Sequence, residues 1–285
     1  LIAVWLSWYV LPPNSLRGLC LYVVAVTVIS ARQHALMVVV HEAIHKRIAR
    51  SLRMNDGLTR IGAAFPVFIS LSKWKFIHLF HHQFTHTDLD PDRAIYSRYP
   101  LRTTSFWALL ARDICGRNVV STLRYFLDVP FGARDFNVRF LGAERAARYD
   151  ESSDMNQFAL FWIVLLGLGI TTGGLSFVEV TILYWLVPYC TFTQLFFRIR
   201  GAIEHGNVPE VNNPYRQTRT YFMHPVLKFF FAPKNVNYHL EHHLYPSVPF
   251  YHLPKLHAAL ARTVYGKTNA YYESFLSGLK KLACS

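Results

Sequence analysis

Eight of the fourteen histidines fall in three short clusters with ligand-like spacing. His41 and His45 are four apart; His78, His81 and His82 follow an HxxHH pattern; His239, His242 and His243 repeat it. On a helix, positions i, i+3 and i+4 share a face, so each cluster would aim two or three imidazoles the same way. Crowding neutral imidazoles costs desolvation and invites repulsion on protonation, unless something binds their lone pairs. A metal does that. Cys20, Cys115, Cys190 and Cys284 are widely spaced and form no CxxC, so neither a thiolate site nor a disulfide framework is signalled. One structural zinc takes four ligands, whereas eight or nine imidazoles can fill two sites and leave positions for oxygen or water. Imidazole suits zinc, copper, iron and nickel alike, so ligand type alone leaves the metal open. A redox pair facing an apolar space suits attack on a lipid C–H bond, for which iron with O2 is the usual agent.

Further candidates surround these clusters. His205, beside Glu204, follows the last apolar run. Metal-bound imidazoles usually donate their second N–H to a carboxylate or carbonyl, which makes Glu42, Asp88, Asp90, Asp92, Glu204 and Glu241 candidates for orienting them. His86 could replace a ligand. His34, His224, His252 and His257 read as structural or exposed.

The elements that must carry these residues are apolar helices. Charged residues are 16% of the chain against roughly 25% in an average globular protein, while apolar residues reach 52%, which argues for a membrane protein. Four spans are expected, at about 1–11, 16–40, 156–172 and 177–197, the last two joined by the polar turn Thr171-Thr172-Gly173-Gly174. The second is interrupted by Arg32-Gln33-His34. Ile61–Leu71 is too short to cross and reads as an interfacial or dipping helix. Trp185, Tyr189 and Thr193 share one face of the last span and could line a tunnel or simply pack. No Lys or Arg occurs from Tyr149 to Phe197, and 28 of the 30 basic residues lie in 41–154 and 198–285. The positive-inside rule then puts both basic segments, 41–155 and 198–285, on the cytosolic side. The fold expected is all-α, a four-span transmembrane bundle with a helical cytosolic cap carrying the histidines, as one domain over 1–285. Because the chain opens on Leu1 and not Met, further residues are expected before it.

The set His41-x3-His45, His78-x2-His81-His82 and Asn235-Val-Asn-Tyr-His239-x2-His242-His243-Leu-Tyr-Pro246 resembles the integral-membrane fatty acid desaturase superfamily, which also holds lipid hydroxylases and carotenoid ketolases. The resemblance runs from about the second span to Leu260. It implies a cytosolic centre of two non-haem iron ions with O2 as co-substrate, held by His41, His45, His78, His81, His82, His239, His242 and His243. Family members use a ninth histidine after the last span, and His205 matches that position. It further implies a tunnel admitting a fatty acyl or other lipid chain.

Desaturation is the expected outcome, because Asn235–Pro246 looks most like acyl-lipid and sphingolipid desaturases. Hydroxylation or carotenoid ketolation is the alternative. His41-Glu42-Ala43-Ile44-His45 also fits the HExxH pattern of zinc metalloproteases, but that reading leaves the other two clusters unused. A lipid-binding or metal-transport protein would place ionisable groups within the spans, whereas these lie outside them. The chain has no Gly-rich nucleotide fingerprint, no CxxC pairs and no His-Pro-Gly-Gly segment. Electrons are therefore expected from a ferredoxin, rubredoxin or cytochrome b5 type of carrier. Such carriers are typically acidic, and Arg93, Lys228 and Lys234 near the histidines are the first candidates to meet one. Topology determination and anionic lipid headgroups account for the same charge. Nothing points to nucleic acid.

Overall fold

The computed structural model describes residues 15–127, 151–263 and 272–284. The expected span at 1–11 lies outside them. The described chain is mostly helical. Its strands are two short parallel pairs, β1 (Leu101–Arg102) with β4 (Ala283–Cys284) and β2 (Thr220–Phe222) with β3 (Tyr272–Ser274). These pin the C-terminal residues back onto the segments before and after the central helices.

Two helical stretches are long and apolar enough to cross a membrane, Leu16–Ile44 and Asp154–His205. They differ in surroundings. Helix α1 (Leu16–Ile44) is 56% buried over its most apolar window, whereas the second stretch is 6% buried and turns Leu160, Ile163, Leu168 and Leu175 outward. The second stretch is not one rod. Within α7 (Glu151–Thr181), Gly174 has φ 61° and ψ −153°, a conformation open to glycine because it lacks a Cβ. The chain reverses there. Residues eight apart on a straight helix would be about 12 Å apart along its axis, yet a Cβ on Gly169 would stand 2.1 Å from the Phe177 ring. The expected hairpin is present, with its break at the last residue of the Thr-Thr-Gly-Gly turn.

The return limb continues through a π turn (Ile182–Leu186) and α8 (Val187–Cys190) into α9 (Phe192–His205), with Thr191 out of helical geometry between the last two. Breaks of this kind free backbone carbonyls that must be satisfied in a buried setting. Residues of α1 do this: Ser30 Oγ donates to Pro188 O (3.1 Å) and Gln33 Nε2 to Trp185 O (2.8 Å), while Thr193 Oγ1 donates to Gln33 Oε1 (2.7 Å). Beside them, Arg32 donates to Phe229 O and His34 Nδ1 pairs with Phe230 O, both at 2.9 Å, on α10 (Pro225–Phe231). The polar interruption of the second span is thus a set of inter-helix bonds.

After α2 (Leu52–Thr59), the stretch expected to dip folds as a π turn (Arg60–Ala64) and a 3-10 turn (Phe65–Val67), ending at left-handed Phe68. Ala63, Ala64, Phe65 and Val67 are buried in the core shared with Met37, Val40, Trp74 and Tyr189, whereas Ile61 is exposed. The irregular carbonyls are again capped from the hairpin, by Trp162 Nε1 on Phe65 O (3.1 Å) and Trp185 Nε1 on Pro66 O (2.7 Å). Helix α3 (Leu71–Phe84) then starts from Ser70, whose hydroxyl accepts from Lys73 N (3.2 Å).

The hairpin closure is open to a direct check. Gly169→Ala would drive a methyl into the Phe177 ring, an overpacking that costs about 1–3 kcal/mol, and should lower the thermal midpoint in detergent. Phe177→Ala in the same chain should recover most of that loss. Additive losses would show that the two residues do not touch.

Candidate metal centre

Four elements deliver nine histidines to one place. His41 lies in the last turn of α1 and His45 caps it, where left-handed Lys46 ends the helix. His78, His81 and His82 share one face of α3, and His205 is the last residue of α9. His239, His242 and His243 occupy the short α11 (His239–Leu244), which follows a 3-10 turn (Pro233–Asn235). The asparagines before it have distinct tasks. Asn235 takes a positive φ of 56° and ties to Phe250 O (3.1 Å), and Asn237 exchanges bonds with Tyr221 in both directions at 3.1 Å. Leu240 and Val236 are buried. A six-residue helix has little stability alone, so these anchors set its position.

The rings fall into two groups. His41, His45, His78, His82 and His242 place one nitrogen each within 4.8 Å of one another, and so do His81, His205 and His243. His239 joins the second group, its Nε2 2.8 Å from His205 Nε2. Across the boundary the His82 and His243 rings stack with centroids 4.2 Å apart. All nine predicted ligand residues are together.

These nitrogens do not satisfy one another. His78 Nε2 faces His45 Nε2 and His82 Nε2, both at 3.0 Å, and His82 Nε2 also faces His242 Nε2 at 3.1 Å. His205 Nε2 stands between His81 Nε2 (3.1 Å) and His239 Nε2 (2.8 Å). An imidazole nitrogen carries either a proton or a lone pair, so a chain of Nε2 atoms cannot pair throughout. Buried His41 Nδ1 and Nε2 and His243 Nε2 have no hydrogen-bond partner. A cation between the rings answers both problems. Two nitrogens about 2.1 Å from one ion and at right angles to it are about 3.0 Å apart, which is the separation found. The all-imidazole donor set fits borderline metals, zinc and iron among them, and five rings in one group exceed the four of a structural zinc.

Electrostatics prepare the rings for such an ion. Burial, reinforced by neighbouring imidazoles and, for His239, first by the Arg200 charge, holds His78, His82, His239, His242 and His243 well below the ordinary histidine value. Burial and Arg47 bring His45 to about 4. Neutral rings are the form that binds metal. His81 differs. Burial pushes it down, but its bond to Asp90 and the charges of Asp92 and Asp90 outweigh this and raise it. The bond runs from Nδ1 to Asp90 Oδ1 (3.0 Å), which keeps the proton on Nδ1 and leaves Nε2 toward His205.

The candidate orienting carboxylates divide. Asp90 also accepts from His86 N, Asp92 N and the Tyr96 hydroxyl, so it sets both a ligand ring and the loop behind it. Buried against the cluster, Asp92 is pushed up to about 6 and accepts from Tyr125 Oη (2.6 Å), with its Oδ2 3.9 Å from His81 Nδ1. Glu204 lies 3.6 Å from His239 Nε2, in the third cluster and not beside its own neighbour His205, and is bonded by Arg200 Nε (2.8 Å). Glu42 accepts from Phe250 N (3.0 Å) through Oε2 while its Oε1 lies 3.8 Å from His41 Nδ1, and Glu241 accepts from His257 Nδ1 (2.6 Å) and Thr220 Oγ1. Asp88 is a surface partner of Arg93.

His86 pairs with Gln217 O (2.6 Å) and is in neither nitrogen group. His34 is buried on Phe230 O, His224 caps α10 and His252 is exposed. His257, expected to be structural, holds Glu241 at the base of α11. Of the proposed tunnel stripe, Trp185 lines a groove between α1 and the hairpin, while Tyr189 and Thr193 are packed in the core. Tyr96, Tyr125 and Arg200 border a narrow cleft at the rings and carried no recognisable motif. The one signal available was Arg200, a charge four residues before Glu204 on an otherwise apolar helix face.

A mostly helical chain with two groups of converging imidazoles has a histidine-rich site that could hold metal. The fatty acid desaturase family matches residues 3–275, and the chain belongs to that family. It is an oxidoreductase. The chain is 29% identical over 268 residues to the dihydrorhizobitoxine desaturase of Bradyrhizobium elkanii, covering 87% of this chain and 71% of that protein.

Because Asp90 orients His81, Asp90→Asn should loosen bound metal by about 10–100-fold, the usual cost of losing such a partner, measured as metal retained against a chelator. Asp88→Asn should change nothing. Equal retention in both variants would take the orienting role from Asp90.

Proposed function

We propose that this chain is a membrane-bound di-iron desaturase acting on a fatty acyl or similar hydrocarbon chain. The observation that supports this best is the convergence of imidazole nitrogens into groups of five and four, in a chain of the desaturase family. His41, His45, His78, His82 and His242 would hold one iron, and His81, His205, His239 and His243 the other. Bound iron would supply O2-dependent removal of hydrogen from an unactivated C–H bond. The reaction balances as two hydrogens lost from the substrate, one O2 reduced to two waters, and two electrons and two protons supplied from outside.

The protein's own groups do the rest. Burial favours the neutral form of the rings other than His81, and Asp90 fixes His81. Asp92 and Tyr125 stand as a hydrogen-bonded pair at the cleft beside the cluster, where a carboxyl near pH 6 can hold or release a proton. The protease reading of His41–His45 fits poorly, because the Glu42 carboxylate is committed to Phe250 N. In the proposed topology the chain is one domain with four spans, and segments 41–155 and 198–285 share the cytosolic side. The outward apolar face of the hairpin suits hydrocarbon. Electrons come from a ferredoxin, rubredoxin or cytochrome b5 type of carrier. Lys228 and Lys234 flank α11, the first bonded to Asn235 Oδ1 (2.7 Å) and the second over the Phe250 ring, and Arg93 lies near Asp88.

Purified protein should hold two iron ions, and His242→Ala or His205→Ala should lose iron and turnover while still inserting into membranes. Full activity in His242→Ala, or one zinc and no iron in the wild type, would reject this reading. Mass spectrometry of products should show a loss of two hydrogens; a gain of oxygen would mean hydroxylation or ketolation.

With carrier limiting, turnover should fall as salt rises from 0.01 to 0.1 M, over which the Debye length shrinks from about 30 Å to about 10 Å. Salt sensitivity that persists at saturating carrier and follows lipid composition would assign the charge to headgroups.

A further inference from the structure

A cavity of about 300 Å³ lies between α4 (Arg93–Tyr96), α5 (Thr103–Ile114), α6 (Val119–Phe126) and α9. Ile95, Tyr125 and Phe197 form part of its wall. The same three side chains line the narrow cleft of about 50 Å³ that touches His41, His78, His81, His205 and His239. The two spaces therefore share a wall of Ile95, Tyr125 and Phe197, which sets the cavity beside the metal centre.

The mouth of this cavity is basic. Three arginines line it, Arg98, Arg112 and Arg198. Arg198 is neutralised by Asp113, with Nη2 2.9 Å from Oδ1 and Nε on Oδ2. Arg98 turns Nε and Nη2 onto Ala94 O, at 3.2 and 3.0 Å. Among the described residues no carboxylate lies within ion-pair distance of Arg98 or Arg112. Two like charges at one opening are stabilised by an anion between them, and guanidinium forks suit carboxylate and phosphate.

The other large space differs in both respects. The groove of about 530 Å³ between α1 and the hairpin has Val28, Leu165, Val180 and Trp185 in its wall but none of the nine histidines. The cavity beside them is at the small end of ligand sites, which run from about 300 to 1,000 Å³.

We propose that the substrate is a small anion with a slim carbon chain. Arg98 and Arg112 hold its carboxylate or phosphate, and its chain runs past Ile95, Tyr125 and Phe197 to the histidines. The assignment rests on the oxidoreductase reading only for what happens at the end of that chain.

Binding to the purified full chain in detergent tests this directly, with hexanoate, hexyl phosphate and hexan-1-ol as probes followed by calorimetry. One of the two anions should bind at least tenfold tighter than the alcohol, and the tighter one identifies the anionic group. The Arg98→Gln/Arg112→Gln double variant should weaken that anion at least tenfold without changing metal content, and the corresponding double Lys variant should restore part of the loss. Ile95→Trp, which narrows the junction, should weaken hexanoate and leave acetate unchanged. Wild-type affinity in the Gln double variant, equal binding of anion and alcohol, or no binding of either anion would overturn the assignment. Those results would leave iron content untouched, and a preparation without iron would still report on the arginines, so the two readings fail separately.

Discussion

The structure depends on one electrostatic conflict: buried imidazole nitrogens aimed at each other without enough protons to pair. His78 and His205 each face two other ring nitrogens at hydrogen-bond distance. A buried polar atom without a partner costs on the order of 1–3 kcal/mol, so a set of them is tolerable only where a cation removes the conflict. The same burial keeps the rings neutral and available.

Holding rings in that conflict needs rigid supports, and the helices that supply them are irregular. Each break exposes carbonyls, and each set is satisfied by a side chain from a neighbour: Ser30 and Gln33 from α1, Trp162 and Trp185 from the hairpin. Those bonds tie the apolar helices to the metal-bearing ends. Glu42 does the same for the loop after α11.

The surroundings of the centre are asymmetric. Asp90 bonds His81 directly, with Tyr96 behind it, Tyr125 on Asp92, and Glu204 3.6 Å from His239 around the second group of rings. The first group borders apolar core that includes Trp74 and Val40, with Glu42 3.8 Å from His41.

The sequence alone singled out the candidate ligands, because HxxxH and HxxHH place rings on one helix face whatever the helix packs against, and it determined the hairpin, because only a turn fits between two apolar runs at Gly173-Gly174. His205 was legible from family resemblance but not from spacing, since it enters from a separate helix. Tertiary structure decided what local pattern cannot encode. It sorted nine rings into groups of five and four and placed Glu204 on His239 of another element. Arg32, Gln33 and His34, which read as a polar interruption of an apolar run, make inter-helix bonds whose partners lie more than 150 residues away. Separation in sequence also hid the wall that two cavities share at Ile95, Tyr125 and Phe197, three unremarkable residues brought together by the packing of α4, α6 and α9.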